Sequence, residues 1–223
     1  MFIARPCHAR RRRRLSDARR PITKRGEATR AKILDAAEQE FGAHGYHAAS
    51  ISSITHRAGV AQGTFYLYFG SKEDVMRELV DHMGRALRYH LSVATRGATH
   101  RLEVERLGFE AFVRFALDHV NLYRVVMESQ FVDESLYRQY YERLAQGYAE
   151  GLRAAQAAGE IRAGDAEAQA WALMGVAHFL GLRAIWNDRF PTDEELEATL
   201  AMVRASLEPN SAGVAAPEPE VIA

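Results

Sequence analysis

The chain has 223 residues, 48% of them apolar, and is long enough for one or two compact domains around a sizeable core. Its 29 basic side chains match 29 acidic ones, so no overall charge points to a partner. Leu, Ala, Arg and Glu are plentiful while long β-branched runs are missing, which favours helices, and the one cysteine, Cys7, excludes an internal disulfide and suits a reducing cytoplasm.

The charges are not evenly spread. Residues 1–26 carry Arg5, Arg10, Arg11, Arg12, Arg13, Arg14, Arg19, Arg20, Lys24 and Arg25 against the single acid Asp17, and the rest of the chain is acidic by the same margin. Residues 1–25 are expected to form a disordered basic arm, either an inert leader or a polyanion contact. No apolar run follows the arginines, so the arm does not read as a signal peptide. The most apolar stretch, residues 171–186, contains His178 and Arg183 and is too short to span a bilayer.

Helical periodicity starts near Glu27, with Ile33, Ala37 and Phe41 on one face and Gly45 as the stop. Two short helices are expected next, at 51–58 and 62–69, joined by a turn at Gly59. Ser71, with Asp74 three residues on, reads as the cap of a longer helix carrying Met76, Leu79, Val80, Met83 and Leu87 on one stripe. Further helices are expected near 101–118, 121–129, 133–158, 165–187 and 193–207, with Gly159, Gly164 and Pro191 as breaks. Residues 209–223 hold Pro209, Pro217 and Pro219 and read as a disordered tail. The expected fold class is all-α. A helix-turn-helix domain would occupy residues 26–71 and a helical ligand and dimerisation domain residues 72–208.

The informative segment is 45–74. Neither short helix is stable alone, so each must bury a face on the helix before it, and Ile51, Ile54, Ala58, Val60, Phe65 and Phe69 supply that face. The outer face of the second short helix then presents Gln62, Gly63, Thr64, Tyr66 and Tyr68. Such a face suits a DNA major groove: Gln reads adenine, Thr touches a thymine methyl and Tyr hydroxyls reach phosphates. Lys72, opening the next helix, adds a candidate phosphate contact.

The run from Ile54 through Ala58-Gly59-Val60, then residues 63–69, then Ser71-Lys72-Glu73, resembles the signature of the TetR family of transcriptional regulators. The match covers about residues 27–80. It implies DNA contacts at Ser50, Gln62, Gly63, Thr64, Tyr66, Tyr68 and Lys72, with Phe65 and Phe69 in the core. Thr55 departs from the family pattern, which has alanine there. The resemblance also implies a repressor acting as a dimer on a palindromic operator. A small-molecule effector would swing the helix at about 72–95, so that the two recognition helices no longer match successive grooves, ~34–36 Å apart.

Candidate pocket walls are Phe112, Tyr123, Met127, Phe131, Tyr141, Trp171, Met174 and His178, although aromatics at helical spacing also build ordinary cores. Arg124 and Arg183 are candidates for an anionic head group or for surface ion pairs. Residues 122–152 and 159–183 resemble, more loosely, the ligand domains of acyl-CoA-responsive regulators of fatty-acid metabolism, which implies an acyl-CoA effector. The competing reading is an efflux-type regulator with a drug-like or aromatic ligand. The last two helices are expected to make a homodimer, with Gly175, Ala177, Gly181 and Ala184 allowing close approach and Leu173, Leu180, Leu182, Ile185, Leu196, Leu200 and Val203 supplying apolar area.

No phosphate loop, nucleophile elbow, HExxH or CxxC is present, so an enzyme is not expected. No cofactor is implied, and no metal site, since Gly45 interrupts His44 and His47. The remaining alternative is a protein that binds nucleic acid or a membrane surface without sequence preference, through its basic arm.

Overall fold

The computed structural model describes residues 23–209. The expectations for the basic arm up to residue 22, Cys7 included, and for the tail from residue 210 onward lie outside the described residues. Among the described residues, regular structure is entirely helical: α1 Lys24–His44, α2 Ile51–Ala58, α3 Gln62–Tyr68, α4 Lys72–Ala94, α5 Arg101–Asp118, α6 Val120–Ser129, α7 Glu134–Ala157, α8 Ala166–Asn187 and α9 Asp193–Leu207. No helix among them is long and apolar enough to cross a membrane.

Capping side chains set most of these starts. Thr23 accepts from Gly26 N at 3.1 Å, so α1 begins at Lys24, ahead of the expected Glu27, and Lys24 and Arg25 are helical rather than part of an arm. Ser50 and Ser53 cap α2 reciprocally, as do Thr192 and Glu195 at α9. Ser71 provides only half of the expected box, accepting from Asp74 N at 3.2 Å. Asp133 and Asp165 satisfy the first turns of α7 and α8. Each such cap contributes ~1 kcal/mol.

Two apolar clusters fill the interior. In the first, Ile33, Phe41, Ile54 and Phe65 of α1–α3 pack with Val75, Met76 and Met83 of α4 and with Leu122 and Val125 of α6. The second joins α5, α7, α8 and α9 through Phe109, Val113, Leu152, Leu180, Leu200 and Leu207. The core beneath the two short helices is thus continuous with α4 and α6.

Candidate nucleic-acid interface and ligand cavity

Helices α2 and α3 are positioned by a few buried side chains. Ile54 and Phe65 are fully buried, and Phe69 packs its ring 5.7 Å from that of Phe65. Gly59 ends α2 at φ 67°, ψ 35°, the left-handed conformation that a β-carbon disfavours, and so fixes the angle between the helices. Thr55 is accommodated by turning its hydroxyl back onto the Ile51 carbonyl at 2.9 Å, which leaves the methyl for packing.

On the outer face Gln62, Gly63, Tyr66 and Leu67 are exposed, with Tyr66 at 56% and Leu67 at 59%, while Thr64 and Tyr68 are half-buried. Leu67 was not anticipated at this surface. Ser50 is exposed as the cap of α2, with its hydroxyl engaged by Ser53 N at 3.0 Å. Lys72 is turned inward. Its ammonium donates to the carbonyls of Tyr46 at 2.5 Å and Ala49 at 2.8 Å and lies 4.1 Å above the Tyr46 ring. It holds the turn before α2 onto the start of α4, a positioning role alongside the contact expected of it. Arg57 pairs with the buried Glu40 at 2.6 Å, and that hydrogen bond holds the Glu40 carboxyl below the usual carboxylate range.

In the second half, α4, α5, α6, α7 and α8 enclose a cavity of about 310 Å³. Of the eight expected wall residues, Phe112, Tyr123, Met127, Tyr141, Met174 and His178 line it. Phe131 and Trp171 do not. Phe131 stands 76% exposed in the turn after α6, and Trp171 lies on the outer side of α8, its ring centroid 6.4 Å from that of Tyr141. Leu87, Leu91 and Leu144 complete an apolar wall, and Tyr148 joins a polar one with Arg88, Arg101 and Glu105, three charged residues that sequence reasoning missed. Arg124 and Arg183 are absent from this wall: Arg124 donates to the Gly42 carbonyl at 3.1 Å, and Arg183 pairs with Glu195 at 2.8 Å.

Within the cavity the Tyr123 hydroxyl is 2.7 Å from His178 Nδ1, and the two rings stack with centroids 5.6 Å apart. Burial lowers the His178 pKa and raises that of the Tyr123 phenol, so both are neutral at neutral pH, and the imidazole tautomer sets which of the two donates. The unfolded chain takes up a proton at His178 before the folded one does. Stability therefore falls as pH drops below about 6.5 toward the lower folded pKa. His119, at the junction of α5 and α6, shifts the same way through burial, so the test is a comparison. Tm between pH 7.5 and 5.5 should fall less in His178→Gln than in the parent, and an equal fall would refute a buried neutral His178.

Helix α6 lines the cavity and also touches α1 and the turn before α2. Tyr123, Val126 and Met127 of this helix face the cavity. From the same ten residues, Arg124 donates to Gly42 of α1 and Glu128 accepts from Tyr46 N at 2.8 Å. Gly42 makes the close approach possible, since a β-carbon there would lie 2.3 Å from Asn121 Oδ1.

Helices α8 and α9 differ from expectation in which faces they offer. Leu173, Leu180, Ala184, Leu196, Leu200 and Val203 are buried within one chain, and Gly181 packs against Phe112 of α5. The exposed apolar stripe is instead Trp171, Phe179 and Trp186 on α8, at 43%, 67% and 73% exposure, with Met202 of α9 at 56%. Gly175, Leu182 and Ile185 lie half-buried along it, as does Ala177 on the cavity side.

Residues 33–79 match the family model described as bacterial regulatory proteins, tetR family. The chain is 33% identical over 119 residues to the fatty acid metabolism regulator protein of Bacillus subtilis (strain 168), covering 52% of this chain and 60% of that one. It is also 33% identical over 109 residues to the HTH-type transcriptional activator FasR of Mycolicibacterium smegmatis, covering 47% of this chain and 48% of that one. The match thus spans less than two thirds of these relatives' length. Among solved structures, the fatty acid degradation regulator FadR of Bacillus halodurans superposes with a TM-score of 0.70 at 22% identity, covering 78% of this chain and 94% of that one. Salmonella enterica GusR gives 0.72 at 22% identity, covering 83% and 98%. At these identities the superpositions show a common fold.

Proposed function

We propose, from the match of residues 33–79 to the tetR family model, that the protein is a ligand-responsive transcriptional regulator, a cytoplasmic repressor that holds a palindromic operator as a homodimer and lets go when an effector fills the cavity. The single observation that carries this reading is α6, one helix that both walls the cavity and grips α1 and the turn before α2. An effector releases DNA only by binding the non-operator geometry more tightly, and a helix shared by both sites supplies that difference.

The DNA contacts assigned are Gln62, Gly63, Thr64, Tyr66 and Tyr68, with Ser50 and Lys72 at the edges. The dimer is assigned to the Trp171–Phe179–Trp186 stripe with Met202, on the same two helices as expected but on their outer faces. Large exposed aromatics aligned on one face mark an interaction surface, and pairing them across a two-fold axis completes a four-helix bundle. Names of the relatives and the leucine-rich wall together favour a long-chain acyl-CoA as effector. Hexadecanoyl-CoA at a hundred-fold excess over Kd is expected to raise Tm by about 5–10 °C and to lower the anisotropy of a bound operator fragment. No change in either would remove the acyl-CoA assignment, and release by a flat aromatic compound instead would favour an efflux-type regulator.

A further inference from the structure

Three histidines gather where α4 crosses the junction of α5 and α6. His119 is the residue between those two helices, and its backbone N–H closes the last turn of α5 onto the Phe115 carbonyl at 3.0 Å. Its imidazole lies 4.3 Å from the centre of the buried Phe115 ring, and the imidazole of His90 on α4 lies 5.3 Å from the same ring. His119 and His90 are half-buried, while His82, about two turns earlier on α4, is exposed. Both α4 histidines are near enough to act on the charge of His119.

The surroundings give a proton on His119 little support. The charges that act on it are His82 and His90 from α4, which repel it when protonated, and the exposed Asp118 from the end of α5, which attracts it. The first turn of α6, Val120, Asn121 and Leu122, adds no ionisable side chain. The negative end of α5 and the positive end of α6 meet at this residue and offset one another. Burial is the largest influence and holds the His119 pKa below the usual histidine value. The packed arrangement therefore suits a neutral His119.

The same length of α4 is tied to both halves of the molecule. Leu87 and Leu91, flanking His90, line the cavity. Val75, Met76, Val80 and Met83, nearer the start of the helix, share one core cluster with Phe115 and with Phe65 of α3.

We propose that His82, His90 and His119 form an acid-sensitive seat for α4: neutral, they let the helix rest on the α5–α6 junction, and protonated, they push it off and operator affinity falls. This rests on reading the protein as an operator-binding regulator, and it requires no effector. A dimer with loosely seated α4 helices must order them again to match two successive grooves, and that ordering is subtracted from affinity. The seated state takes up the His119 proton less readily than the loosened one, so the loosened state gains as pH drops below about 6.5. His44, His47 and His56 in the DNA-binding half are exposed, and their protonation acts the other way by adding attraction to phosphates. The effect is therefore read as a difference between parent and variants.

Two measurements on the full chain test it. Titration of the imidazole resonances by NMR should give a His119 midpoint below about 6.5 in the parent, and a higher one in His82→Gln/His90→Gln. Operator affinity, by anisotropy, is then compared at pH 7.5 and pH 5.5 in the parent, in this double variant and in His119→Gln. The three should agree at pH 7.5, where an ordinary histidine is mostly neutral. At pH 5.5 the parent should bind about ten-fold more weakly than either variant, the equivalent of one unit of difference in His119 pKa between seated and loosened α4. An equal change with pH in parent and variants would overturn the switch, as would a His119 midpoint that ignores the double variant. Should His119→Gln fail to fold, the double variant, whose replaced side chains are on α4 alone, decides the matter. A parent that binds no operator at either pH would refute the regulator reading and the switch with it, a result distinct from binding at both with an unaltered ratio.

Discussion

Replacing Phe179 and Trp186 with aspartate is expected to convert the proposed dimer into a monomer and to abolish tight operator binding. Both rings stand mostly exposed on one face of α8, so the monomer core loses nothing and helicity should be retained. Across a two-fold axis every substitution occurs twice. Interfacial aromatics of this size commonly cost 2 kcal/mol or more each when truncated, and aspartate adds a buried charge. Four lost anchors amount to at least about 8 kcal/mol, on the order of a million-fold in the dimerisation constant. Sedimentation at micromolar concentration checks it: a parent dimer and a variant monomer with unchanged far-ultraviolet dichroism are expected. A variant that stays dimeric would place the interface elsewhere.

The second large effect concerns α3. Gln62→Ala combined with Tyr66→Ala removes two exposed side chains from the outward face without touching Phe65 or Phe69 beneath. A good base contact discriminates by about 1–3 kcal/mol, and a dimer makes each contact twice. Operator affinity should therefore fall on the order of a thousand-fold with Tm changed by no more than a degree or two. Titration of labelled operator by anisotropy reads the loss. Affinity within a few-fold of the parent would take α3 out of the recognition role.

Much of the fold was legible because local rules agreed with one another. Gly59 and Ser71 mark ends of helices that their apolar spacing independently demands. Residues of the cavity wall were legible as a group, since aromatic and sulfur side chains on α5, α6, α7 and α8 converge there. Helix α8 misled for a physical reason. It is apolar around nearly its whole circumference, so periodicity cannot say which leucines face the monomer core and which aromatics face outward. Phe131 lies between α6 and α7, as their expected bounds imply, and its ring turns to solvent rather than into the cavity.

Charged residues were the hardest to read. Arg85 and Arg88 look in sequence like the solvated side of α4, and only the packing of α7 against that side turns them into the wall of a cleft. Lys72 is the converse case, a cation suited by position to a phosphate yet held by two backbone carbonyls and an aromatic face. The part played by α6 was equally hidden. Its ten residues serve two sites on different faces, and neither site is visible until α1 docks through Gly42.

The central claim is that α3 reads a DNA sequence as part of a symmetric pair, and selection from a random DNA pool tests it most directly. The full chain should enrich a palindromic site whose half-sites lie about one helical turn apart, and the Gln62→Ala, Tyr66→Ala variant should enrich none. Enrichment of no site by the parent at moderate salt, or of the same palindrome by the variant, would contradict sequence-specific recognition by this helix.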